Sequence, residues 1–400
     1  MTVNKIKILF IHHAEGWGGS PLSMLNTIMA LDKSKYLFEV LLLHDSIVSK
    51  ILKENGISVK VAKSFFYKRF YDNYVHSVAH DKTWFRIDRE AKSILSWLLN
   101  RYFFATKELQ GFDYDIVHLN SSTLTDWLAP CKAKGKVVMH IREPFSKGNF
   151  GIRHKLLTSQ MRKYADCIIA ISNDNANRIN VPEKTRVIYN FVNIKEENEI
   201  DKCKPESGKV LYFGGSEKIK GYFTVVDSLD YLDYGIKIIF CGNYSAVDNK
   251  SGIVGSLKSM VRSVLPFHKK LRAALIKIKN HPNAVFVGLV NNSTQMIQES
   301  ELLISPFSNP HFARPVIEAH LQKKPVIGSD VVGMDEIMEH EKTGLIVPKN
   351  NPKALAAAIN ELIANKQKAK MLGEAGYNIA MQNYTQNNIK EFESVYDKIL

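Results

Sequence analysis

Two stretches of this 400-residue chain begin in the same way, and that repetition limits the folds open to it more than any other feature. IKILFIHHAEGWGGSPLSMLNTIMAL, from Ile6, reads as a strand, a glycine-containing loop and a helix. KVLYFGGSEKIKGYFTVVDSL, from Lys209, repeats that order. Short apolar runs bounded by glycine fit strands covered on both faces, and such strands belong to parallel sheets. In each case the tight turn and helix start place backbone N–H groups where α/β folds hold a phosphate.

Further strand-like runs follow in both halves. The first half has FEVLLLH, YDIVHLN, KVVMHIRE, CIIAIS and RVIYNFV; the second has IKIIFCG, AVFVGLV, LLISP, PVIGSD and GLIVP. Strands separated by helical stretches argue for α/β domains built on parallel sheets with both faces covered. The polar segment KEENEIDKCKPESG, Lys195 to Gly208, reads as a linker. The expected organisation is therefore a first doubly wound, Rossmann-like domain over 1–200 and a second over 201–383, with a cleft between their sheets. In the final segment, 384–400, NNIKEFESVYDKIL is expected to form a helix that packs back on the first domain.

Composition narrows the partners. With 45% hydrophobic and 24% charged residues the chain is an ordinary globular protein, and no apolar run approaches membrane-spanning length. Cys131, Cys167, Cys203 and Cys241 show no CxxC spacing, so neither a zinc site nor a disulfide framework is expected, and a reducing cytoplasm is the simplest home. An excess of 54 basic over 40 acidic residues favours an anionic partner, either a nucleoside diphosphate, a lipid surface or a nucleic acid. No nucleic-acid-binding module accompanies the charge, so nucleic acid is set aside.

Two segments could meet an anionic membrane. From Asn249 to His281 there are eight Lys or Arg, among them Lys269, Lys270 and Arg272, and no acid. Apolar stripes run through it at helical spacing, Leu257, Met260, Val261, Val264 and Leu265, then Leu271, Ala274, Leu275 and Ile278. Such a helix lies on a lipid surface or packs its stripe on the sheet. The segment 64–107 carries 12 of the chain's 40 aromatics, interleaved with Lys68, Arg69, Arg86 and Arg101, and suits a membrane interface, a greasy acceptor or a core of long helices.

The stretch Leu302 to Pro348 carries the chemistry. LLISP and PVIGSD read as buried strands with a helix between them. Pro315 suits the first helical position, which puts Glu318 within the first turn, near the strand's carboxyl end where open α/β sheets bind ligands. Its two oxygens suit the hydroxyls of a ribose; complementing the helix dipole is the alternative. Metal binding is not expected, because His12 and His13 on one strand point to opposite faces and no Asp-x-Asp triplet occurs. Neither glycine loop reads GxGxxG, which disfavours a dinucleotide-dependent oxidoreductase.

In the second half, GGSEKIKG, VFVGLV, ISPF, RPVIEA, KPVIGSDVVGMDEIM and TGLIVP, and in the first half GGSPLSM, DYDIVHLN, IIAIS and VIYNFVN, follow one another in a known order. The pattern resembles the family 4 glycosyltransferases of the GT-B fold. That resemblance implies retaining, metal-independent transfer of a sugar from a nucleoside-diphosphate sugar to a glycan or lipid-linked acceptor in cell-surface polysaccharide synthesis, with no cofactor beyond the donor. It makes Lys220 the phosphate-binding lysine, Glu318 the ribose ligand, and Gly18, Gly19, Gly214 and Gly215 the loops that approach the donor. Asn120 stands where a histidine often touches the donor sugar, and with Lys220 and Glu318 it completes the implied catalytic set. Lys218, Asn309, His311 and Arg314 are further donor contacts, and His118, His140, Arg142 and Glu143 belong to the acceptor side. The chain departs from the family at Pro310, where the first glutamate of a pair is usual, and at Gly215, where a phosphate-binding arginine is usual. Those departures motivate a second reading, a catalytically impaired nucleotide-sugar-binding or scaffold protein.

Overall fold

In the computed structural model the described residues are 4–13, 15–72, 87–111, 113–145, 151–192, 205–244, 266–290 and 292–400. The chain divides into two compact units, Met1–Asn193 with Tyr384–Leu400, and Ile194–Asn383. Most of the expected linker, with Cys203, lies outside the described residues. So do Lys250, Lys258 and Arg262, the stripe Leu257 to Leu265, and Arg86 with its neighbouring aromatics.

Unit 1 is built on a seven-stranded parallel sheet. Its strands are β1 (Ile6–His12), β2 (Tyr36–Leu42), β3 (Ser58–Val61), β4 (Ile116–Leu119), β5 (Lys136–Ile141), β6 (Cys167–Ala170) and β7 (Thr185–Val187), in the order β3-β2-β1-β4-β5-β6-β7. Chain order runs outward from β1 to one edge, then resumes beside β1 with β4 and runs to the other. Residues of β1 and β4 alternate between two cores. Leu9, Ile11, Val117 and Leu119 join Trp127 and Met139 on one face, while Ile8, Phe10 and Ile116 join Met24, Ile28 and Val138 on the other.

Unit 2 repeats the plan with six strands. They are β8 (Lys209–Tyr212), β9 (Lys237–Cys241), β10 (Ala284–Gly288), β11 (Leu302–Ser305), β12 (Val326–Ser329) and β13 (Gly344–Val347), in the order β10-β9-β8-β11-β12-β13. Every pairing is parallel, as the doubly buried apolar runs require. The expected α/β class, two doubly wound parallel sheets, holds. Only β3 was not foreseen, and its physical character explains why. It is a four-residue edge strand whose residues are half-buried or exposed, so it lacks the apolar run that marks its neighbours.

The helix Pro266–Asn280 turns Leu271, Ala274, Leu275 and Ile278 into the core of unit 2. Its apolar stripe is thus used by the protein itself. Lys270 lies over the Phe223 ring and Lys277 pairs with Asp230 at 2.6 Å, which leaves this helix no apolar stripe to offer a lipid surface.

The carboxyl-terminal helix Ile389–Ile399 belongs to unit 1. Phe392, Val395 and Tyr396 fall on one face and are buried against Phe10, Tyr36 and Val138. At roughly 1.5–3 kcal/mol for each large apolar side chain, this burial far outweighs the exposed Lys35–Asp397 pair. Beneath it lies a polar pair on the same sheet face. His118 Nδ1 is 2.8 Å from Tyr396 Oη, His118 Nε2 is 3.2 Å from His140 Nδ1, and His140 packs on Phe392. Both rings are fully buried. The expected acceptor-side role of His118 and His140 is therefore corrected: the carboxyl-terminal helix seals them as interior groups.

Burial lowers the pKa of His118 and of His140, with Arg142 adding to both, and in unit 2 burial takes His320 down to about 4. The folded protein thus binds fewer protons than the unfolded chain once the pH falls below the ordinary value of 6.5. Stability is undiminished above that value and declines below it, for His320 until about pH 4. Each ring contributes a slope of about 1.4 kcal/mol per pH unit. The urea midpoint is expected to fall steadily from neutral pH to about pH 5, and a flat profile would contradict neutral buried rings. Tyr396→Phe, which strands His118 Nδ1, should cost about 1–3 kcal/mol in the same unfolding measurement.

Candidate functional site

In each sheet the chain order reverses between two adjacent strands, β1 and β4 in unit 1 and β8 and β11 in unit 2. The loops leaving the carboxyl ends of such a pair part in opposite directions and open a crevice, where open α/β sheets bind ligands. The sequence-predicted residues gather at these two points.

In unit 1, Asn120 follows β4 and is fully buried. Arg142 Nε donates to Asn120 Oδ1 at 2.6 Å, and Arg142 Nη1 donates to Asn190 Oδ1 at 2.8 Å. An arginine can only donate, so it fixes the amide with Nδ2 facing His12 Nδ1 at 3.1 Å. His12 Nδ1 therefore accepts, the ring proton sits on Nε2, and this buried N–H has no partner. Burial, then the neighbouring His13 and Arg142, holds the His12 pKa well below its ordinary value. An orphaned buried donor costs about 1–3 kcal/mol and is the mark of a site built for something else.

Glu143 serves the same edge in another direction. Its carboxylate accepts from Ser121 Oγ at 2.9 Å and from Ser122 Oγ at 3.1 Å, shaping the turn that leaves β4. Gly18 and Gly19 begin the helix Gly19–Ala30, which has no side-chain cap and no acid in its first turn. Open space lies above both glycines, so the amides of this helix start are unobstructed. Ser20 Oγ is 3.5 Å from Asn120 Nδ2, which joins the glycine loop to the asparagine. Beside them a cavity of about 420 Å3 lies among His13, Glu15, His44, Lys68, Arg69 and Tyr71.

In unit 2 two loops run side by side. The first leaves β8 through Gly214 and Gly215 to a short turn, Lys218–Lys220, and Gly221; the second leaves β11 through Pro306 to His311. Ser308 N donates to Ile219 O at 2.9 Å and Ser308 Oγ donates to Lys218 O at 3.2 Å. Gly221 sits at φ 79°, and a Cβ there would stand 1.9 Å from Pro306 O. Only glycine permits this approach. Asn309 accepts from Ser308 Oγ at 3.2 Å, and His311 stacks on Phe307 with ring centroids 4.2 Å apart. Burial and the nearby Lys220 push the His311 pKa down to about 4, so its ring is neutral. Lys220 Nζ donates to Glu217 Oε1 at 2.8 Å, while the Lys218 side chain is exposed.

The helix after this loop starts at Arg314, one residue earlier than Pro315 predicts, and its first turn holds no acid. Glu318 therefore lies in the second turn, which corrects its expected place. Arg314 Nε donates to Glu318 Oε1 at 2.7 Å, and both side chains are largely buried. An ion pair to a neighbour four residues back replaces the proposed complement to the helix dipole.

Gly215 explains one departure from the family pattern. It sits at φ 55°, and a Cβ would come within 2.5 Å of Asn243 O, so no arginine fits there without rebuilding the turn. A larger hollow, about 850 Å3, opens among Lys209, Tyr234, Lys237, Asn283, Val285 and Met296. It lies toward the amino-terminal ends of β8 and β9, the opposite end from Lys220. Among the described residues no three His, Cys, Asp or Glu converge to hold a metal ion.

The sequence pattern described as Glycosyl transferases group 1 matches residues 193–379, and that of Glycosyltransferase Family 4 matches residues 48–196. The chain belongs to the family 4 glycosyltransferases. An uncharacterised glycosyltransferase of Methanocaldococcus jannaschii is 22% identical over 89% of this chain and 94% of its own length. The capsular polysaccharide biosynthesis glycosyltransferase CapM of Staphylococcus aureus is 24% identical over 62% of this chain and 60% of its own length. Among solved structures, Anabaena HepE in complex with UDP and glucose superposes with a TM-score of 0.72 at 19% identity, covering 99% of this chain and all of HepE. Staphylococcus aureus TarM, in complex with UDP and an acceptor fragment, gives 0.71 at 14% identity over 98% and 100%. These structures share the GT-B fold of this glycosyltransferase.

Three partners of the candidate site escaped sequence reasoning. Glu217 sits inside the quoted GGSEKIKG and was legible as an i,i+3 neighbour of Lys220. His12 could be found from the parity of β1, since it shares a face with Phe10. Asn190, brought to Arg142 from a separate loop, left no local signal. Gly221→Ala is expected to destabilise unit 2 by on the order of 1–3 kcal/mol through the positive φ and the clash with Pro306. Gly16→Ala, in open space at an ordinary φ, should leave the melting temperature unchanged; equal effects would contradict the loop packing.

Proposed function

We propose that this glycosyltransferase moves a sugar from a nucleoside-diphosphate sugar to a glycan or lipid-linked acceptor in cell-surface polysaccharide synthesis, with retention and without a divalent ion. The observation that carries the reading is the close packing of the 214–221 and 306–311 loops at the carboxyl ends of β8 and β11, with Lys220 between them and neutral His311 alongside. HepE has been captured with UDP and with UDP-glucose, and TarM with UDP, which supports a nucleoside diphosphate at this point. The capsular relatives CapM and CapH support the polysaccharide context.

Breaking the sugar–phosphate bond places negative charge on the departing diphosphate, so a fixed cation and backbone donors there lower the barrier. Lys220 supplies the cation, exchanging Glu217 for a diphosphate oxygen when the donor arrives. Because His311 is neutral, it can accept as well as donate a hydrogen bond to the sugar. Arg314 orients Glu318 by one oxygen, and the reading gives the other to the ribose. In unit 1, Arg142, Asn120 and His12 form a preorganised row of donors for sugar hydroxyls, and the 420 Å3 cavity receives the acceptor. With Lys220 and the loop amides in place of a metal, EDTA is expected to leave turnover unchanged.

Pro310 and the tight turn at Gly215 favour one competing reading, a protein that binds the donor and transfers slowly or not at all. Binding and turnover separate the two. Lys220→Ala and Glu318→Ala should each weaken UDP or the preferred nucleoside diphosphate by about 10–100-fold in calorimetry, the worth of a charge-assisted hydrogen bond. Undiminished affinity in both variants would remove the site. Turnover with a panel of donors and lipid-linked acceptors supports the enzyme; tight donor binding with no turnover would favour the scaffold.

A further inference from the structure

The helix Ile87–Leu99 continues through a π-helical turn, Asn100–Phe104, into Ala105–Glu108, and over most of this length it is inside out. Its buried positions are polar. Ser93, Ser96 and Asn100 have almost no exposed surface. Ser96 Oγ accepts from Asp72 N at 2.9 Å, Asn100 accepts from Tyr67 Oη at 2.6 Å and donates to Asp126 at 2.7 Å, and Trp97 Nε1 donates to Thr125 at 3.1 Å. Its outer positions are apolar: Ile94 is 55% exposed, Leu95 57%, Leu98 41%, Tyr102 63% and Phe103 66%. Residues 94, 98 and 102 repeat every four, so they form one stripe. A helix on a globular surface normally shows the reverse arrangement, and a contiguous exposed stripe of this kind marks a docking face.

We propose that this stripe is a docking face for an anionic lipid bilayer. The neighbouring helix Phe65–Arg69 packs on it through Phe66 and Phe104, stacked 4.1 Å apart, and adds exposed Phe65 and Phe70. Around these rings Lys68, Arg69, Lys92 and Lys107 are exposed. Among the described side chains of 64–107 the one acid is Asp72, half-buried and 3.7 Å from Lys92. Apolar and aromatic side chains bordered by lysines are the makeup of a helix lying in a membrane interface, with the rings in the acyl boundary and the cations at the phosphates. A second copy of the chain would bring the same basic rim into one interface from both sides. Lys68 and Arg69 also border the 420 Å3 cavity, which ties this face to the unit-1 site. The inference stands apart from the donor assignment, which concerns unit 2.

The test is co-sedimentation of the full chain with vesicles of phosphatidylcholine alone and of phosphatidylcholine with phosphatidylglycerol. Wild type is expected to bind the anionic vesicles, and added salt should weaken binding. The triple variant Leu95→Ser, Leu98→Ser, Phe103→Ser and the double variant Lys68→Glu, Arg69→Glu should each lose about tenfold or more, at about fivefold per charge. Lys269→Glu, Lys270→Glu in unit 2 should cost less. Melting temperature and nucleoside-diphosphate affinity report that the variants are folded. The proposal is overturned if wild type ignores anionic vesicles, if both unit-1 variants bind as wild type does, or if the unit-2 variant alone loses binding. Light scattering that shows a wild-type dimer made monomeric by the triple serine variant would overturn it in favour of a second copy.

Discussion

The reversal of strand order beside β1 and again beside β8 is the constraint on which the rest depends. A parallel sheet built outward from its middle strand must restart next to that strand, and the restart leaves two neighbouring carboxyl ends whose loops diverge. The sequence spends its unusual residues there. Gly215 and Gly221 make a turn that no other residue fits, Ser308 ties it to the loop after β11, and the packing holds Lys220 beside His311. In unit 1 the same position holds Asn120 between Arg142 and His12.

Polar groups at these edges are held neutral or tied to one partner, and the surrounding core makes this so. Burial lowers the pKa of His12, His118 and His140. A neutral ring offers a donor and an acceptor at once, and the network then decides which nitrogen carries the proton. The carboxyl-terminal helix completes this arrangement. By placing Tyr396 on His118 and Phe392 on His140 it closes the face of β4 and β5 immediately before the strands end in Asn120 and Arg142. The last stretch of the chain therefore supports the site in unit 1 without touching a ligand.

Both sheets were legible in the sequence because doubly buried strands must be continuous apolar runs, and LLISP or KVVMHI can hardly be anything else. β3 was not, since an edge strand such as SVKV needs no such run. The site was half legible. Glycine loops, Lys220 and Glu318 sit in local patterns, but Glu318 belongs to the second turn because the helix starts at Arg314, and proline tolerates either early position. His118 and His140 end strands that point toward the edge, yet their partner Tyr396 lies 278 residues further along the chain, and no local pattern announces such a contact. The inside-out helix failed to declare itself for a similar reason: its periodicity is correct for an amphipathic helix, and only the partners of Ser96 and Asn100 show which face is buried.

The central claim is that the paired loops after β8 and β11 hold the nucleoside diphosphate. Hydrogen–deuterium exchange with and without whichever of UDP, GDP or ADP raises the melting temperature most tests it directly. Protection is predicted over 214–221 and 306–318. Protection instead around the larger hollow of unit 2, at 206–209, 234–239 and 282–287, or no protected segment in unit 2, would contradict the account.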